Sequence, residues 1–392
     1  STFLLLGIER IRHDVRENFS QSVSGADLIV GARTGPVQLL LYSVFRIGSA
    51  TNNVRWDSVQ ALARHRGVAW VVPLSLGDSH RGHAVVGTSP AYFEHFRHGD
   101  QQALAFAQGR PFAELFDAVI GADVARRLGY RLGDRIVLGH GDGAFAANDH
   151  ADKPFTVVGI LEPTGTPVDR SVHISLQAME AIHLDWVAGA PLPGLSVPAD
   201  QVARHDLTPK TVTAALVGLK QRSAVFSVQR WVADYEPEPL LAVLPGVALD
   251  ELWDVVGAGE RALLAVSGLV ALVSLVGLVA VILAGLNERR RELAILRAVG
   301  AGPRHVLVLL AAEGALVTLA GALIGAAASA LAVFALRDWA QARWGIALQW
   351  QAPGASEWAL LAAGVAGAWL ASLLPGFRAD RLSAGRSLSA KV

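Results

Sequence analysis

Histidines and aspartates are the residues of this sequence whose types and spacing could do chemistry. Two pairs of histidines stand three positions apart, His80 with His83 and His95 with His98. A further group of imidazole and carboxylate side chains follows in the chain, namely His140, Asp142, Asp149, His150 and Asp152. Because histidine is the commonest metal ligand, these residues predict either a zinc-related site or an ordinary polar surface. We assign no metal ligand from the sequence and keep the zinc-related role as an alternative.

Catalytic and nucleotide-binding signatures are absent from the sequence. The segment LGDSHRGH (76–83) is similar to the nucleophile motif of one esterase class, which also needs a later D-x-x-H, and no histidine here follows an aspartate by three positions. A phosphate-binding loop needs G-x-x-x-x-G-K-[ST], and no lysine has that context. There is no cysteine, which excludes thiol nucleophiles, disulfides and cysteine-ligated zinc. The sequence predicts no catalytic residue and no cofactor in this chain.

The segment NERRRELAILRAVGAGPRHVL (287–307) places five arginines and two glutamates between two apolar runs. The run at 262–286 has no charged residue, and the run at 306–336 has only Glu313. A third uncharged run covers 358–377. At about 1.5 Å per residue, each run is long enough as a helix to cross a hydrocarbon core of about 30 Å. Three such runs so close together predict transmembrane helices rather than buried helices of a soluble protein.

The distribution of positive charge predicts the orientation of these helices. Loops that are rich in lysine and arginine stay in the cytoplasm. The 287–304 loop carries five arginines, and the segment 378–392 that follows the last run carries three arginines and a lysine, whereas the connector 337–357 carries two arginines. The arginine-rich loop and the C-terminal segment are therefore predicted to be cytoplasmic.

The N-terminal residues 3–8 form an apolar hexamer that is too short to span a membrane. A large domain on the outer side requires a membrane crossing before it. We therefore interpret these residues as the end of a first transmembrane helix that is otherwise missing, within an expected four-helix topology. A short buried strand is the alternative interpretation.

The composition changes near residue 260, from mixed to predominantly apolar, so a soluble domain precedes a membrane domain. Strand-like and helix-like patterns are mixed in the first part, which predicts an α+β domain. The strand-like segments are 67–76, 83–89 and 155–161, and the helix-like segments are 58–66, 122–128 and 175–183. The net charge is zero by count, so nothing indicates a nucleic-acid partner.

Four segments of the chain resemble the MacB/FtsX-type permeases of ABC transporters, including the split permeases of LolC/LolE type. In the first part these are VIGADVARRLGYRLGDRIVLGHG (119–141) and the later FTVVGIL (155–161). In the membrane part they are RRRELAILRAVGAGPRHVLVLLAAEGALVTLAGALIGAAAS (289–329) and LLPGFRADRLSAGRSL (373–388). The resemblance implies a MacB-like periplasmic core domain of α+β class, joined to an all-α membrane domain.

The predicted order of segments follows from the apolar runs and this resemblance. It comprises the end of helix one (1–8), the periplasmic domain (9–255), a stalk with helix two (256–286), a coupling loop (287–304), helix three (305–336), a periplasmic loop (337–357), helix four (358–377) and a cytoplasmic tail (378–392).

The resemblance implies that residues 288–299 form a coupling helix that docks into a groove on the ATPase subunit. The residues expected to supply apolar contact and charge pairs there are Arg291, Glu292, Leu293, Ile295, Leu296, Arg297 and Val299. For the arginines, simple anchoring of topology at the membrane surface is an alternative.

Small residues in helix three predict close helix packing. Gly321 and Gly325 form a G-x-x-x-G step that Gly314 extends, and it suits either a permease dimer interface or packing within one subunit. Glu313 must face protein or water, and we favour a structural hydrogen bond, with His305 as one partner, over proton or substrate handling. Before helix two, Leu252, Trp253 and Val256 share one side of a helix, as a stalk or as an amphipathic cap of the domain.

The function predicted from the sequence is the permease subunit of a type VII/MacB-like ABC transporter, in a bacterial inner membrane. It would couple ATP hydrolysis by a separate ATPase chain, which holds ATP and Mg²⁺, to export or extraction of an amphiphilic substrate. The expected partners are the ATPase, a second permease copy, the lipid bilayer and a periplasmic adaptor or substrate protein. The alternatives are an FtsX-like regulator that moves an envelope enzyme without transport, and the zinc-related component.

Overall fold

The computed structural model describes residues 2–4, 6–10, 22, 25–141, 149–187, 190–191, 197–288, 290–344, 354, 358–359, 361–367 and 369–371. The described residues fall into two compact units. The mixed unit is drawn from residues 16–255 and 342–346, and the helical unit from residues 1–15, 256–341 and 347–392.

The strands all belong to the mixed unit, and most are short. They are β1 (Leu28–Ala32), β2 (Val54–Arg55), β3 (Val68–His80), β4 (His83–Thr88), β5 (Arg97–His98), β6 (Gln102–Ala103), β7 (Phe106–Gly109), β8 (Asp117–Ile120), β9 (Arg135–Ile136), β10 (Gly139–His140), β11 (Phe155–Leu161), β12 (Ser171–Ser175), β13 (Trp186–Val187), β14 (Ala190–Pro191), β15 (Thr211–Val212), β16 (Ala214–Leu219) and β17 (Leu240–Val243).

The helices range from single turns to more than ten turns. They are α1 (Pro36–Leu40), α2 (Trp56–Ala63), α3 (Ala91–His95), α4 (Ala122–Leu128), α5 (Leu176–His183), α6 (Ala199–Val202), α7 (Val225–Ala233), α8 (Pro245–Glu288), α9 (Arg290–Ala298) and α10 (Pro303–Trp344). A π-helix continues α1 over Leu41–Phe45, and short 3₁₀ helices cover Pro167–Arg170 and Arg222–Ala224.

One large mixed sheet organises the first unit. Its strand order is β17-β1-β16-β3-β4-β12-β8-β11-β7, with β10 paired to β3 and β9 paired to β11. Most neighbours are antiparallel, but β4 with β12 and β8 with β11 are parallel. The strand-like segments predicted from the sequence correspond to β3, β4 and β11, and the predicted helix at 122–128 is α4, which ends at Gly129 in a left-handed conformation. The α+β fold class is confirmed.

Both faces of this sheet are covered, and the alternation of side chains along the strands shows how. On β8, Val119 belongs to one apolar cluster with Tyr92 and Phe93, whereas Ala118 and Ile120 point into another cluster. On β1, Ile29 likewise joins the first cluster, and its neighbours Leu28 and Val30 join a third. Successive side chains of a strand point to opposite faces, so the first cluster lies on one face and the other two on the opposite face. A sheet buried on both faces explains the nearly continuous apolar sequence of its central strands.

The long strand β3 is irregular near its end. The two residues that connect it to β4, Arg81 and Gly82, both have positive φ, as a type I′ hairpin turn requires. Between Leu76 and Ser79 the register with β4 shifts by one residue, and Gly77 there has φ of 148°. Such a bulge redirects the side chains around it. The residue that follows Gly77 in this bulge is Asp78, which is buried.

Among the described residues, two helices are long and apolar enough to cross a membrane, over Pro245–Gly285 and Arg304–Leu336. The full helices α8 and α10 have 44 and 42 residues, which at about 1.5 Å per residue corresponds to more than twice the thickness of a hydrocarbon core of about 30 Å. The predicted span at 358–377 is helical where it is described, and the expected count of four helices is not confirmed. Residues 2–4 and 6–10 are helical too, so they do not form the alternative strand.

Candidate coupling site and imidazole cluster

The helix α9 presents apolar side chains to the surroundings of the chain. Ile295 is 64% exposed, Leu296 43% and Val299, just after the helix, 83%. Arg291 and Glu292 are exposed as well. The side chains of Leu293 and Arg297 lie outside the described part, although both positions are helical. The predicted coupling residues thus include an apolar group that nothing in the described chain covers.

The end of α9 is defined by a glycine cap. The N–H of Ala301 donates to the carbonyl of Leu296 at 2.9 Å, across Gly300, whose φ is 103°. This is the hydrogen bond of a Schellman motif, in which glycine adopts the left-handed conformation that other residues avoid. Pro303 then begins α10, where its missing N–H costs nothing. A loop of four residues, 299–302, therefore determines how the two helices follow each other.

Close packing within the helical unit involves Gly325 rather than Gly321. A Cβ atom built on Gly325 would lie 2.9 Å from Cβ of Thr2 and 3.3 Å from the backbone nitrogen of Phe3. Gly321 has nothing within 4 Å of such an atom, and it lines a cavity of about 590 Å³ with Thr318 and residues of α8 and 361–365. Both glycines line this cavity, but among the described residues only the Cβ position of Gly325 lies against the N-terminal helix.

The two other predicted packing positions, Glu313 and Gly314, precede Gly321 in α10 by about two helical turns. Gly314 is buried, and its carbonyl accepts a hydrogen bond from the hydroxyl of Thr318 at 2.8 Å. Glu313 is half-buried, whereas His305, its predicted partner, is exposed.

The predicted stalk residues fall into two groups at the start of α8. Leu252 and Trp253 pack against the first apolar cluster of the mixed unit, next to the buried Ala248 and Leu249. Val256 is 41% exposed and does not join them. The same helix continues without interruption to Glu288. Its first three turns are thus part of the core of the mixed unit.

Three histidines and an aspartate meet at another site, in the mixed unit. Their potential ligand atoms all lie within 4.8 Å of one another. The members of this cluster, which we call the imidazole cluster, are Asp78, His140, His150 and His183. The sequence predicted His140 and His150 as candidates but missed Asp78 and His183, because neither stands near them in the chain.

Four separate segments of the mixed unit supply these four residues. Asp78 comes from the bulge of β3, and His140 lies directly opposite it on the paired strand β10. His183 is the last residue of α5. His150 follows a single bridge between Asp149 and Gly139, and its N–H donates to the carbonyl of Leu138 at 2.8 Å.

The buried carboxylate of Asp78 contacts the imidazoles of His140 and His183. The Nδ1–H of His140 donates to Oδ1 of Asp78 at 2.9 Å, and Nε2 of His183 lies 3.4 Å from the same oxygen. Burial raises the pKa of Asp78, but its contacts with the imidazoles of His140 and His183 outweigh burial and lower this pKa to about 2. Burial lowers the pKa of His150 to about 4, so its imidazole is neutral at pH 7.

The histidine pairs at 80/83 and 95/98 do not form metal sites among the described residues. His80 donates from Nδ1 to the carbonyl of Val137 at 2.6 Å and accepts at Nε2 from the hydroxyl of Tyr130 at 2.9 Å. Both of its nitrogens are thus occupied. The Nδ1–H of His83 donates to the carbonyl of Arg170 at 3.2 Å. The ring of His95 stacks on Trp70, with centroids 4.7 Å apart. His80, His83 and His95 are thus engaged in contacts within the mixed unit.

Two family models match the chain. The model of the MacB-like periplasmic core domain matches residues 3–215, and that of the FtsX-like permease C-terminal region matches residues 264–381. Among solved structures, the periplasmic region of MacB from Actinobacillus actinomycetemcomitans is similar at 11% identity and a TM-score of 0.35, over 60% of this chain and 97% of that chain. The extracellular domain of the noncanonic ABC-type transporter YknZ from Gram-positive bacteria is similar at 14% identity and a TM-score of 0.29, over 49% and 89%. The comparison with curated proteins found no match.

Proposed function

Because this chain belongs to the FtsX-like permeases of ABC transporters that carry a MacB-like periplasmic core domain, we propose that it is the permease subunit of such a transporter in a bacterial inner membrane. In this proposal the mixed unit lies in the periplasm and α9 faces the cytoplasm, as the arginine distribution indicates. A separate ATPase chain binds and hydrolyses ATP with Mg²⁺. Two permease copies and two ATPase chains form the working complex, and a periplasmic adaptor or substrate protein joins it.

The exposed apolar side of α9 is the observation that carries this proposal. Ile295, Leu296 and Val299 are uncovered in the single chain, and charged side chains stand beside them on the same short helix. Apolar contacts surrounded by charges are typical of a protein interface, in which burial supplies affinity and charge pairs supply orientation. The Schellman cap at Gly300 fixes where this helix ends, which suits an element that transmits force.

The continuous helix α8 supports a mechanical role. Its first turns pack into the core of the mixed unit through Leu249, Leu252 and Trp253, and only residue 289 lies between its last described residue, Glu288, and the start of α9. A displacement of α9 by the ATPase is thereby passed along α8 to the periplasmic domain. We propose that ATP hydrolysis changes the conformation of the periplasmic domain through this movement.

We propose an amphiphilic substrate, such as a lipoprotein, lipid, peptide or drug, that is exported or extracted from the periplasmic side. The apolar runs at 262–286 and 306–336 contain one charged residue, Glu313. A pathway for a polar solute through the membrane needs polar side chains along its length. The sparse charge of these runs therefore favours work done outside the membrane by the moving domain.

The test of this function uses the full-length chain purified with its bound proteins from native membranes. We expect Ile295→Glu and Val299→Glu to lower the copurified ATP hydrolysis at least about tenfold, because a charge buried in an interface costs more than the roughly 1.4 kcal/mol that a factor of ten represents. The matched control is Phe226→Glu, since Phe226 is an equally exposed apolar residue of α7 in the mixed unit.

Unchanged hydrolysis in both α9 variants would contradict a docking role and favour a helix that merely lies on the membrane surface. The same variants show whether ATP hydrolysis depends on α9, and a separate assay of the complex shows whether it transports a substrate. If hydrolysis depends on α9, but the purified complex moves no lipid or lipoprotein and instead holds an envelope hydrolase, then the regulatory alternative is correct and transport is not.

A further inference from the structure

Three atoms of the imidazole cluster already have the spacing of ligands around a metal ion. Nδ1 of His140 lies 2.9 Å from Oδ1 of Asp78 and 3.3 Å from Nε2 of His183, and these last two atoms are 3.4 Å apart. In a tetrahedral zinc site with bonds of roughly 2.0–2.1 Å, neighbouring ligand atoms are about 3.3 Å apart. The three atoms thus form one face of such a tetrahedron.

Unsatisfied polar atoms point to a missing partner in the same place. Both ring nitrogens of His150 and Oδ2 of Asp78 are buried, and they have no hydrogen-bond partner within the part of the chain that the structure describes. The side chain of His150 is completely buried. Buried polar groups without partners are rare in native proteins and require an explanation. A cation bound between these residues would supply the partner that the protein itself does not.

The environment of His183 matches that of a metal-binding histidine. Its Nδ1–H donates to the carbonyl of Met179, one turn earlier in α5, at 2.8 Å. This hydrogen bond leaves the lone pair of Nε2 directed toward Asp78 and His140. Metal-binding histidines almost always donate their other N–H to a carbonyl or carboxylate, which fixes the tautomer and the ring orientation.

A buried lysine close to His150 in the chain is held by partners outside the cluster. Lys153, three residues after His150, is fully buried, but its ammonium group pairs with Asp185 at 2.9 Å and with Asp152 at 2.6 Å. Trp186 lies against the cluster, with its ring centroid 4.4 Å from that of His150. Trp186 therefore covers part of the cluster with apolar surface, and the positive charge of Lys153 is neutralised by its own aspartate partners.

We propose that Asp78, His140, His150 and His183 bind one Zn²⁺ ion in the mixed unit. Three imidazoles and one carboxylate suit zinc, whereas magnesium and calcium prefer oxygen ligands. Four protein ligands complete a tetrahedral shell, as in zinc sites that hold a fold together, whereas catalytic sites keep one position open. The ion would tie the end of α5 to β3 and β10. This inference concerns the mixed unit alone and does not depend on coupling to an ATPase.

The experiment uses the full-length chain in detergent, purified with a tag that contains no histidine and stripped of metal with a chelator. Cobalt(II) is titrated first, because it replaces zinc and absorbs visible light strongly only in four-coordinate sites. We expect one equivalent of Co²⁺ to bind with that strong absorption, and Zn²⁺ to displace it. Since loss of outer-shell partners alone weakens metal binding about 10- to 100-fold, we expect His140→Gln and His183→Gln to raise the Kd for Zn²⁺ by about 100-fold or more.

The control variant is His205→Gln, because His205 is an exposed histidine of the same unit outside the cluster. It should bind Co²⁺ as the unchanged protein does. The wild-type spectrum decides the question even if a ligand variant fails to fold. No saturable binding, a weak spectrum typical of six-coordinate cobalt, or equal affinity in folded His140→Gln and His183→Gln would each overturn the proposal.

Discussion

The ammonium group of Lys153 lies 2.9 Å and 3.0 Å from the two carboxylate oxygens of Asp185, and both side chains are buried. Asp185 also accepts a hydrogen bond from the N–H of Val197 at 3.1 Å. This arrangement makes Lys153 a fully buried lysine with fixed partners, three residues from His150. A buried ion pair is costly to form, but breaking it from one side costs more, because it leaves the other charge uncompensated.

We therefore expect Lys153→Met to destabilise the mixed unit by about 3–5 kcal/mol. The measurement is the thermal unfolding of the full-length protein in detergent, followed by tryptophan fluorescence. Lys210→Met is the matched control, because the Lys210 side chain is exposed. Equal melting temperatures for the two variants would contradict a structural role of the buried pair.

The same pair predicts a dependence of stability on pH. Burial raises the pKa of Asp185, but hydrogen bonds from Lys153 and the Val197 N–H outweigh it, so this pKa is lower in the folded protein. A carboxylate with a lowered folded pKa stabilises the protein above its unfolded pKa of about 3.9, and this contribution disappears as the pH falls below that value. We expect the difference in melting temperature between the unchanged protein and Lys153→Met to be constant from pH 5 to 7, and to shrink below about pH 4. A difference that grew at acidic pH would show that another group is responsible.

The contact of Gly325 with Thr2 predicts unequal effects of two similar substitutions. Gly325→Val places new methyl groups where a Cβ alone would already lie 2.9 Å from Cβ of Thr2, and overpacking of this kind costs about 1–3 kcal/mol. Gly321→Val has open space and should change stability little. Melting temperatures in detergent provide the comparison, and the oligomeric state of Gly321→Val is measured alongside. If only Gly321→Val breaks a permease dimer, then Gly321 belongs to the subunit interface.

The cap of α9 predicts a second matched pair. Gly300 has φ of 103°, so Gly300→Ala is strained in any surroundings, whereas Gly302 has no such φ and its Cβ position has a nearest neighbour at 3.6 Å. Replacement of a left-handed glycine by alanine destabilises by about 1 kcal/mol or more. We expect Gly300→Ala to reduce ATP hydrolysis of the purified complex severalfold, while Gly302→Ala keeps it. Similar loss in both variants would indicate general sensitivity of the loop rather than a specific cap.

Much of the fold is accessible from local patterns. Short apolar runs predict the strands β3, β4 and β11, and Gly129 predicts where α4 ends. The apolar runs of α8 and α10 are visible because helical spans must be long and uncharged. The glycine at position 325 predicts close helix packing, but the sequence does not indicate which helix packs there. The structure shows that this helix is the N-terminal one, through Thr2.

The imidazole cluster shows the limit of sequence reasoning. His140 and His150 lie in one segment that is rich in polar residues, whereas Asp78 lies in the strand β3 and His183 at the end of the helix α5, both far from them in the chain. Their meeting requires the β3 bulge and the pairing of β10 with β3. From the sequence alone, the resemblance of particular segments indicated the family, and residue order with local periodicity indicated the α+β class and the apolar segments. Only the tertiary structure decided which imidazoles share one site, because long-range strand pairing and helix packing set those distances.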